Sequence, residues 1–212
     1  MTVMGLAQQL AAQARKPSGW FGRLVMSRFL NKANRRINDL TIERLEIQPT
    51  DQVLDIGFGG GYTLPIMAAL ANIGKVHGVD FSESMVQGAE KRFADLIQQG
   101  RIEIRVGDLS SLPYADGTFD KVCTVNTPYF WPSPLENLRE IRRVIKPGGR
   151  LVVAFRSRES LQRAAKKLLY GFTLYDPDAA LNLLERAGFT HVQIEKHPHD
   201  KPMDSNLAVG TA

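Results

Sequence analysis

Apolar and polar positions change their period repeatedly along the chain after Pro49. Short continuous runs of Val, Ile and Leu, typical of buried strands, alternate with longer segments whose apolar residues recur at helical spacing. Strands that are buried on both faces and separated by helices predict a parallel sheet between two helical layers. The predicted strands are 52–57, 75–80, 102–107, 119–126 and 149–155, and the predicted helices are 61–72, 82–98, 133–144 and 177–187.

The end of the chain departs from this alternation. Two further strands, predicted near 190–197 and 205–211, are joined by a short polar segment that contains Pro and Asp and has no helical period. Because so short a connection joins antiparallel neighbours, we expect a hairpin at one edge of the sheet. The expected fold class is α/β, a doubly wound sheet of seven strands that is mostly parallel and has a C-terminal antiparallel hairpin.

The start of the chain has a different character. Apolar residues recur at helical spacing over 2–14 and again from Trp20 to about Ile47, with a Pro- and Gly-containing break between these segments. Residues 1–50 hold eight Lys and Arg against three Asp and Glu, whereas the other residues are balanced, so the net charge of +5 is local to this region. We therefore divide the chain into an N-terminal helical arm, 1–48, and one compact domain, 49–212.

Composition narrows the class of protein. Hydrophobic residues make up 43% and charged residues 23% of the 212 residues, as in ordinary globular domains. The single cysteine, Cys123, lies in an apolar run, so neither a disulfide framework nor a metal site is expected. His77 is interpreted as a core histidine, and His197 and His199 as part of a solvated loop. No stretch approaches the roughly 20 apolar residues of a membrane span or resembles a signal peptide, which predicts a cytoplasmic location.

Glycines cluster where the first strand gives way to a helix. The run follows the spacing Asp-x-Gly-x-Gly-x-Gly over Asp55, Gly57, Gly59 and Gly61. Glycine at such a turn lets the backbone approach a ligand that a Cβ atom would exclude. The dinucleotide fingerprint requires a further glycine three places after the second, where this chain has Tyr62, so the motif departs from that fingerprint.

Carboxylates stand at the ends of the next two predicted strands. Asp80 ends the second strand, and Asp108 follows the third. The carboxyl ends of parallel strands meet at a crevice where open α/β sheets bind ligands, and a carboxylate there can accept both hydroxyls of a ribose. The alternative roles are an N-cap of the helix at 82, which Ser82 could also provide, and a turn-forming role for Asp108.

Together these motifs resemble the class I S-adenosylmethionine-dependent methyltransferases, over most of the chain. The likeness is strongest to the small-molecule enzymes of ubiquinone and menaquinone biosynthesis, the methyltransferase type 11 group. It implies a Rossmann-like fold, S-adenosyl-L-methionine as the cofactor, and an Asp108 that faces the adenine amino group. The cofactor-binding residues that it implies are Asp55, Gly57, Phe58, Gly59, Gly61, Asp80, Phe81, Met85, Asp108, Leu109 and Asn126.

The segment after the fourth strand is the expected place of methyl transfer. An in-line displacement at a sulfonium carbon needs alignment and exclusion of water more than covalent help, and the sequence offers no convincing general base. Asn126 and Tyr129 are the candidate catalytic residues, and the aromatic side chains there either form a pocket wall or pack in the core. The candidate substrate-binding residues are Tyr129, Phe130, Trp131 and Arg156.

Several functions are open at this point. The leading prediction is methyl transfer to a small or lipid-like acceptor, with the arm either covering the pocket as a lid, as in related enzymes, or only packing on the domain. Asn126-Thr127-Pro128-Tyr129 resembles the Asn-Pro-Pro-Tyr motif of amino-group methyltransferases, which keeps an amine or a nucleic-acid base as an alternative acceptor. The charge-balanced domain argues against nucleic acid, and the basic arm suits peripheral contact with a membrane. A non-catalytic cofactor-binding protein and an oxidoreductase with an altered fingerprint are the alternatives from other classes.

Overall fold

A seven-stranded mixed sheet forms the centre of the protein. The computed structural model describes residues 34–165, 173, 175–201 and 203–212. The strands are β1 (Gln52–Ile56), β2 (Lys75–Asp80), β3 (Ile102–Val106), β4 (Phe119–Val125), β5 (Ile145–Phe155), β6 (Thr190–His197) and β7 (Ser205–Thr211). They lie in the order β3-β2-β1-β4-β5-β7-β6, so the chain winds outward from β1 in both directions.

Strand pairing confirms the predicted fold class. The pairs β1–β2, β1–β4, β2–β3 and β4–β5 are parallel, whereas β7 pairs antiparallel with both β5 and β6. The C-terminal hairpin is therefore present, with β7 inserted between β5 and β6. The C-terminal ends of the parallel strands β1, β2, β3 and β4 lie side by side. We call this side of the sheet, with the residues that directly follow these four strands, the carboxyl edge.

Helices cover both faces of this sheet. They are α1 (34–45), α2 (Thr63–Leu70), α3 (Glu83–Arg92), α4 (Ala94–Gln98), α5 (Pro134–Val144), α6 (Arg158–Ala165) and α7 (Pro177–Arg186). On one face, α1, α2 and α3 pack in a hydrophobic cluster with Val53 of β1. On the other face, α5 and α7 pack in a second cluster with Leu54. Neighbouring residues of a strand point to opposite faces, which is why the apolar runs are continuous.

Three elements differ from the sequence predictions. The helix predicted over 82–98 is divided at Phe93, whose φ of −111° and ψ of 23° are not helical. Helix α6 lies in a segment where no helix was predicted. The fifth strand, predicted over 149–155, begins earlier, at Ile145. Its register against β4 shifts near this start, where Gly148 has a φ of +79°.

The described part of the N-terminal arm belongs to the core. Ile37 and Leu45 of α1 are buried in the cluster that also contains Val53. Arg44 forms an ion pair of 2.5 Å with Glu195, which joins α1 to strand β6. The rest of the arm, including the helix predicted over 2–14, lies outside the described residues. Among the helices that are described, none has the length and apolar character needed to cross a membrane.

His77 lies in the core, as predicted. Its ring makes edge contacts with Phe119 and Tyr114 at centroid distances of 5.1 and 5.8 Å. Burial lowers the pKa of His77 to about 4, so the imidazole is neutral near pH 7. The side chain therefore contributes packing within the sheet and not charge.

Candidate active site

The turn between β1 and α2 has a backbone conformation that favours glycine. Gly57, Gly59 and Gly61 have φ values of +72°, +52° and +69°. A Cβ atom at Gly57 would lie 2.5 Å from Cγ2 of Thr127, so the turn packs directly on the segment after β4. A Cβ atom at Gly59 would approach only the Gly57 carbonyl oxygen, at 3.9 Å. The middle of the turn therefore borders open space that a ligand can enter.

Asp80, at the end of β2, is tied to this turn. Its Oδ2 accepts a hydrogen bond of 3.0 Å from the N–H of Gly59, and its Oδ1 accepts one of 2.9 Å from the N–H of Ser82. The carboxylate is buried and forms no ion pair within the described part of the chain. Burial raises the pKa of Asp80, although both N–H donors oppose the rise. Each oxygen has two acceptor positions, so each retains capacity for one more hydrogen bond.

Asp55, at the end of β1, is a second buried carboxylate below the turn. It accepts a hydrogen bond from the Thr63 hydroxyl and contacts the thiol of Cys123. Burial raises the pKa of Asp55 to about 6; the hydrogen bond from Thr63 opposes the rise, and the charge of Asp80 adds to it. The two carboxylates thus form an anionic centre that favours a cationic group in the space above the turn.

Asp108 has a different environment after β3. Its side chain is exposed, and Oδ1 accepts hydrogen bonds from the hydroxyl and the N–H of Ser110 at 2.6 and 2.7 Å. These hydrogen bonds lower the pKa of Asp108. The turn-forming role is therefore present in the structure. It uses one oxygen, and Oδ2 makes no hydrogen bond to the residues that the structure describes.

Apolar side chains surround the same end of the sheet. Phe81 is 43% exposed and Val106, the register partner of Asp80, is 47% exposed, although most large apolar residues are buried. Met85 and Leu109 are partly buried. Phe58 is buried, and a Cβ atom at position 78 would lie 2.9 Å from its ring, so Phe58 packs beneath the turn. Val106 was not predicted as a site residue, because its exposure results from the position of β3 at the edge of the sheet.

Asn126 connects several elements at the end of β4. It has a φ of +56°, which is uncommon for residues other than glycine. Its Nδ2 donates a hydrogen bond of 3.0 Å to Oδ1 of Asn34 in α1, and its Oδ1 accepts one of 3.0 Å from the hydroxyl of Tyr129. The hydroxyl of the neighbouring Thr127 contacts that of Thr124. Intramolecular contacts therefore engage both ends of the Asn126 amide.

Tyr129 is buried next to Asn126. Its hydroxyl oxygen accepts a hydrogen bond of 2.5 Å from the backbone N–H of Arg156. Burial raises the pKa of Tyr129 far above neutral pH, so the phenol stays protonated. Tyr129 is therefore suited to orient the ends of β4 and β5 and is not suited to accept a proton.

A small apolar cleft, with a cavity volume of about 20 Å³, lies beside this segment. Phe130, which is partly exposed, does not line it. None of the described residues that line the cleft is charged. They are Pro128, Trp131, Pro134, Leu138, Val153, Phe155, Tyr175, Ala180, Leu183 and Leu184. Trp131 therefore combines the two predicted roles, since it is buried in the core cluster and also forms part of a pocket wall.

Arg156 lies inside the protein at the end of β5. Only 2% of its surface is exposed, and Nη1 donates hydrogen bonds to the carbonyl oxygens of Met203 and Asp204 and to Oγ of Ser205. Burial lowers the pKa of Arg156, and the charge of Asp204 opposes that effect. The guanidinium thus fixes the start of β7 beside the active-site end of β5.

Helix α1 reaches the glycine turn as well as β4. In addition to the Asn34–Asn126 contact, Oδ1 of Asp39 accepts a hydrogen bond of 2.8 Å from the hydroxyl of Tyr62. No site residue was predicted on this helix. The only local signal was the polar Asn34, Asn38 and Asp39 within an apolar helical pattern, and such residues are also common on solvated faces.

Comparisons of the sequence identify the group of proteins to which this chain is related. Residues 54–153 match the family model for a methyltransferase domain. The chain is 29% identical over 138 residues to the uncharacterized methyltransferase YdaC of Bacillus subtilis, in an alignment that covers 65% of this chain and 74% of YdaC. It is 34% identical over 113 residues to the demethylmenaquinone methyltransferase of Alkalihalophilus pseudofirmus, which covers 53% of this chain and 48% of that enzyme. The chain thus spans about half the length of the latter relative.

Solved structures share the fold over nearly the whole chain. A methyltransferase in complex with the Haloferax volcanii Trm112 activator matches with a TM-score of 0.76 and 22% identity, covering 100% of this chain and 99% of that one. An S-adenosylmethionine-dependent methyltransferase from Aquifex aeolicus matches with a TM-score of 0.71 and 21% identity. The match covers 88% of this chain and 97% of that one. The [4+2]-cyclase SpnF also matches, with a TM-score of 0.71 and 22% identity, over 85% of this chain and 81% of SpnF. At these identities the likeness concerns the fold.

A doubly wound sheet with a glycine turn and buried carboxylates at its carboxyl edge defines a Rossmann-like cofactor-binding domain. The family match places residues 54–153 in a methyltransferase domain, and the related methyltransferases imply S-adenosylmethionine as the cofactor. The site fits a ligand of this kind. Space is open above Gly59, the buried Asp55 and Asp80 lack a cationic partner among the described residues, and Phe81 exposes an apolar ring beside them.

Proposed function

We propose that the carboxyl edge binds the cofactor through residues of β1, β2 and β3. In this arrangement Asp80 accepts the two ribose hydroxyls, Asp108 faces the adenine amino group, and the glycine turn with Asp55 borders the methionine part. The observation that carries the proposal is the Asp80 carboxylate, which is buried, bonded to the turn and left with one acceptor position on each oxygen. Further contacts are assigned to Phe81, Met85, Leu109 and Asn126, while Phe58 supports the turn by packing.

The acceptor that we propose is small or lipid-like. The apolar cleft beside residues 128–131 has the lining expected for a hydrophobic group. The demethylmenaquinone methyltransferase is named for a small-molecule substrate, which supports the same class. In this proposal Trp131 contacts the apolar part of the acceptor, while Phe130 faces its reacting end.

Alignment is the main contribution of the protein to the proposed reaction. The bound cofactor supplies a methyl group on a sulfonium. Transfer of this group to a lone pair of the acceptor would leave S-adenosylhomocysteine, so the residues of the chain have to align the two molecules and exclude water. Asn126 and Tyr129 hold the ends of β4 and β5 in place through their mutual hydrogen bond and the N–H of Arg156. Precise positioning of this kind can account for much of the rate of such a displacement.

The arm is proposed to act as a lid in the part that precedes α1. Asn34, the first described residue, contacts Asn126 at the end of β4, so the chain enters α1 beside the proposed reaction site. Hydrogen exchange tests this proposal with and without S-adenosylhomocysteine. A closing lid gains protection over Trp20 to Phe29 together with the glycine turn. Equal exchange in both states, with full activity after deletion of residues 1–19, would leave the arm a packing role alone.

An amine or a nucleic-acid base is the alternative acceptor. The Asn-Pro-Pro-Tyr motif requires an asparagine amide and a tyrosine ring that are available to a planar amine. In this chain the amide of Asn126 contacts Asn34 and Tyr129, and Tyr129 is buried. These contacts favour the small or lipid-like acceptor. A protein that binds the cofactor without transferring its methyl group is the second alternative, because the same fold is found in a cyclase.

Labelled cofactor distinguishes these functions. The protein is incubated with methyl-labelled S-adenosylmethionine and with separate solvent-extractable, polar and nucleic-acid fractions of a cell extract. We expect label in a solvent-extractable small molecule. At a subsaturating cofactor concentration, transfer should fall by about tenfold or more for Asp80→Asn and stay normal for the control Asp120→Asn, whose carboxylate lies at the opposite end of the sheet. Label in nucleic acid or in polar amines would overturn the proposed acceptor, and binding without transfer to any fraction would overturn the activity.

A cytoplasmic location is kept as a prediction from the sequence.

A further inference from the structure

The charges of the proposed cofactor site leave one group of the ligand without a partner. S-adenosylmethionine carries a cationic sulfonium, a cationic ammonium and an anionic carboxylate. Asp55 and Asp80 are buried, mutually repelling carboxylates near the glycine turn, which suit the two cationic groups and oppose the anionic one. The ligand carboxylate therefore needs a cation at the border of the site, away from these two side chains.

Helix α1 crosses that border. Asn34 bonds to Asn126 at the end of β4, and Asp39 bonds to Tyr62 at the end of the glycine turn. The helix thus touches both sides of the space between β1 and β4. Arg35 lies on the turn of helix between these two contacts.

The contacts of Arg35 leave its guanidinium available. Nε lies 3.9 Å from Oδ2 of Asp39, which is longer than an ordinary hydrogen bond, and 73% of the side chain is exposed. Burial and the hydrogen bond to Asp39 raise the pKa of Tyr62, and the neighbouring Arg35 opposes that rise, so the guanidinium lies beside the Tyr62 hydroxyl. Arginine has five N–H donors in a planar arrangement that matches a carboxylate.

Two other arginines near these elements already have hydrogen-bond partners within the protein. Arg92 donates a hydrogen bond of 2.5 Å to the carbonyl oxygen of Gly60 and lies over the ring of Phe93. Arg36, the neighbour of Arg35, lies 3.5 Å from Oδ1 of Asp200 in the loop after β6. Arg35 differs from both, because its ion pair with Asp39 in the described chain is longer than a hydrogen bond.

We propose that Arg35 binds the α-carboxylate of S-adenosylmethionine, with the Tyr62 hydroxyl beside it, so that α1 completes the cofactor site. This inference rests on the proposed function, because it assumes that the methionine part of the ligand lies between the glycine turn and the end of β4. It adds a binding residue from the N-terminal arm. The motifs that predicted the cofactor site all lie in the sheet and did not indicate a residue there.

Calorimetry with two ligands tests the proposal. S-adenosylmethionine and decarboxylated S-adenosylmethionine share the adenosine, the sulfonium and the amine and differ in the carboxylate. We expect Arg35→Gln to lower the affinity for S-adenosylmethionine by tenfold or more and to change the affinity for the decarboxylated form by less than about twofold. The matched control Arg36→Gln, one residue away, is expected to change neither affinity. Both side chains are largely exposed, so both variants should fold.

The outcomes separate this inference from the proposed function. An equal loss for both ligands, or no loss for either, would overturn the role of Arg35 while the wild-type affinity for S-adenosylmethionine still supported the site. A wild-type protein that bound neither ligand would overturn the proposed site and the inference with it. Arg35→Lys adds a check, because a single ammonium should restore only part of the selectivity for the carboxylated ligand.

Discussion

Carboxylates at the two ends of the sheet have opposite electrostatic environments. At the carboxyl edge, Asp55 and Asp80 are buried without an ion-pair partner in the described chain, and burial raises both pKa values. At the other end, Asp120 is also partly desolvated, but hydrogen bonds from Lys146 and from the N–H of Gln52, both of 2.8 Å, outweigh this effect and lower its pKa. The fold therefore provides a cationic partner for Asp120 and none, within the described chain, for Asp55 and Asp80.

This difference shows which carboxylates the fold itself needs. A buried charge without a partner costs free energy, so proteins retain one mainly where it has a function. Asp120 joins β1, β4 and β5 and stabilises the folded state. The raised pKa values of Asp55 and Asp80 show that the cofactor-free protein disfavours their charged forms, and we interpret them as groups kept for a cationic ligand.

The largest expected effect is on stability. Asp55→Asn should raise the free energy of unfolding of the cofactor-free protein at pH 8 by about 3 kcal/mol, the equivalent of the rise in pKa from 3.8 to about 6. Because the folded-state pKa is the higher one, wild-type stability falls as pH rises between these values. The gain should therefore shrink below about 1 kcal/mol at pH 4. Urea denaturation measures both values.

A matched substitution at the other end of the sheet serves as the control. Asp120→Asn should lower the free energy of unfolding, by about 1 kcal/mol, because its ion pair with Lys146 is partly exposed. The comparison between the two ends fails if both substitutions change stability with the same sign.

The second effect concerns cofactor affinity. Asp80→Asn should weaken binding of S-adenosylhomocysteine by tenfold or more, because it removes charge-assisted hydrogen bonds to the ribose. Calorimetry on Asp80→Asn and Asp120→Asn gives the comparison, and the second variant should bind as the wild type does. An unchanged affinity for Asp80→Asn would show that the ribose lies elsewhere.

The third effect is a pH dependence of binding. Protonation of Asp55 removes a negative charge near the sulfonium and ammonium, so affinity for S-adenosylmethionine should fall by about tenfold from pH 7 to pH 5, given a pKa of about 6. Asp55→Asn should bind weakly at both pH values and show no such dependence. A constant wild-type affinity across this range would mean that the charge of Asp55 is not used for binding.

The smallest effect is expected at Asp108. One of its oxygens is held by Ser110, and the side chain is exposed, so a hydrogen bond to the adenine amino group contributes about 1 kcal/mol. Asp108→Ala should therefore weaken binding by about threefold to tenfold, less than Asp80→Asn in the same titration. A larger loss than for Asp80→Asn would exchange the roles assigned to the two residues.

Much of the fold follows from local sequence pattern. The bounds of β2, β6 and β7 were predicted correctly, because each is an apolar or alternating run limited by polar, Gly or Pro residues. The break at Phe93 and helix α6 were missed. Phe93 lies against Gly61 of the glycine turn, so a contact between distant segments accompanies the break, and no local pattern reports it.

The site was predictable in part for a related reason. Asp55, Asp80 and Asp108 were located together because strand order and direction bring the ends of parallel strands to one edge. The Asn34–Asn126 and Asp39–Tyr62 contacts join residues that are far apart in sequence, and the α1 residue of each pair belongs to no motif. The burial of Arg156 was likewise not visible, because its partners are backbone carbonyls of the β6–β7 connection.

A crystal structure of the protein with S-adenosylhomocysteine would show directly whether the carboxyl edge binds the cofactor. We predict the ribose hydroxyls within hydrogen-bond distance of the Asp80 carboxylate, the adenine beside Asp108 and Phe81, and the amino-acid part between the glycine turn and α1. A ligand bound away from the carboxyl edge, or one that leaves Asp80 bonded only to Gly59 and Ser82, would contradict this prediction.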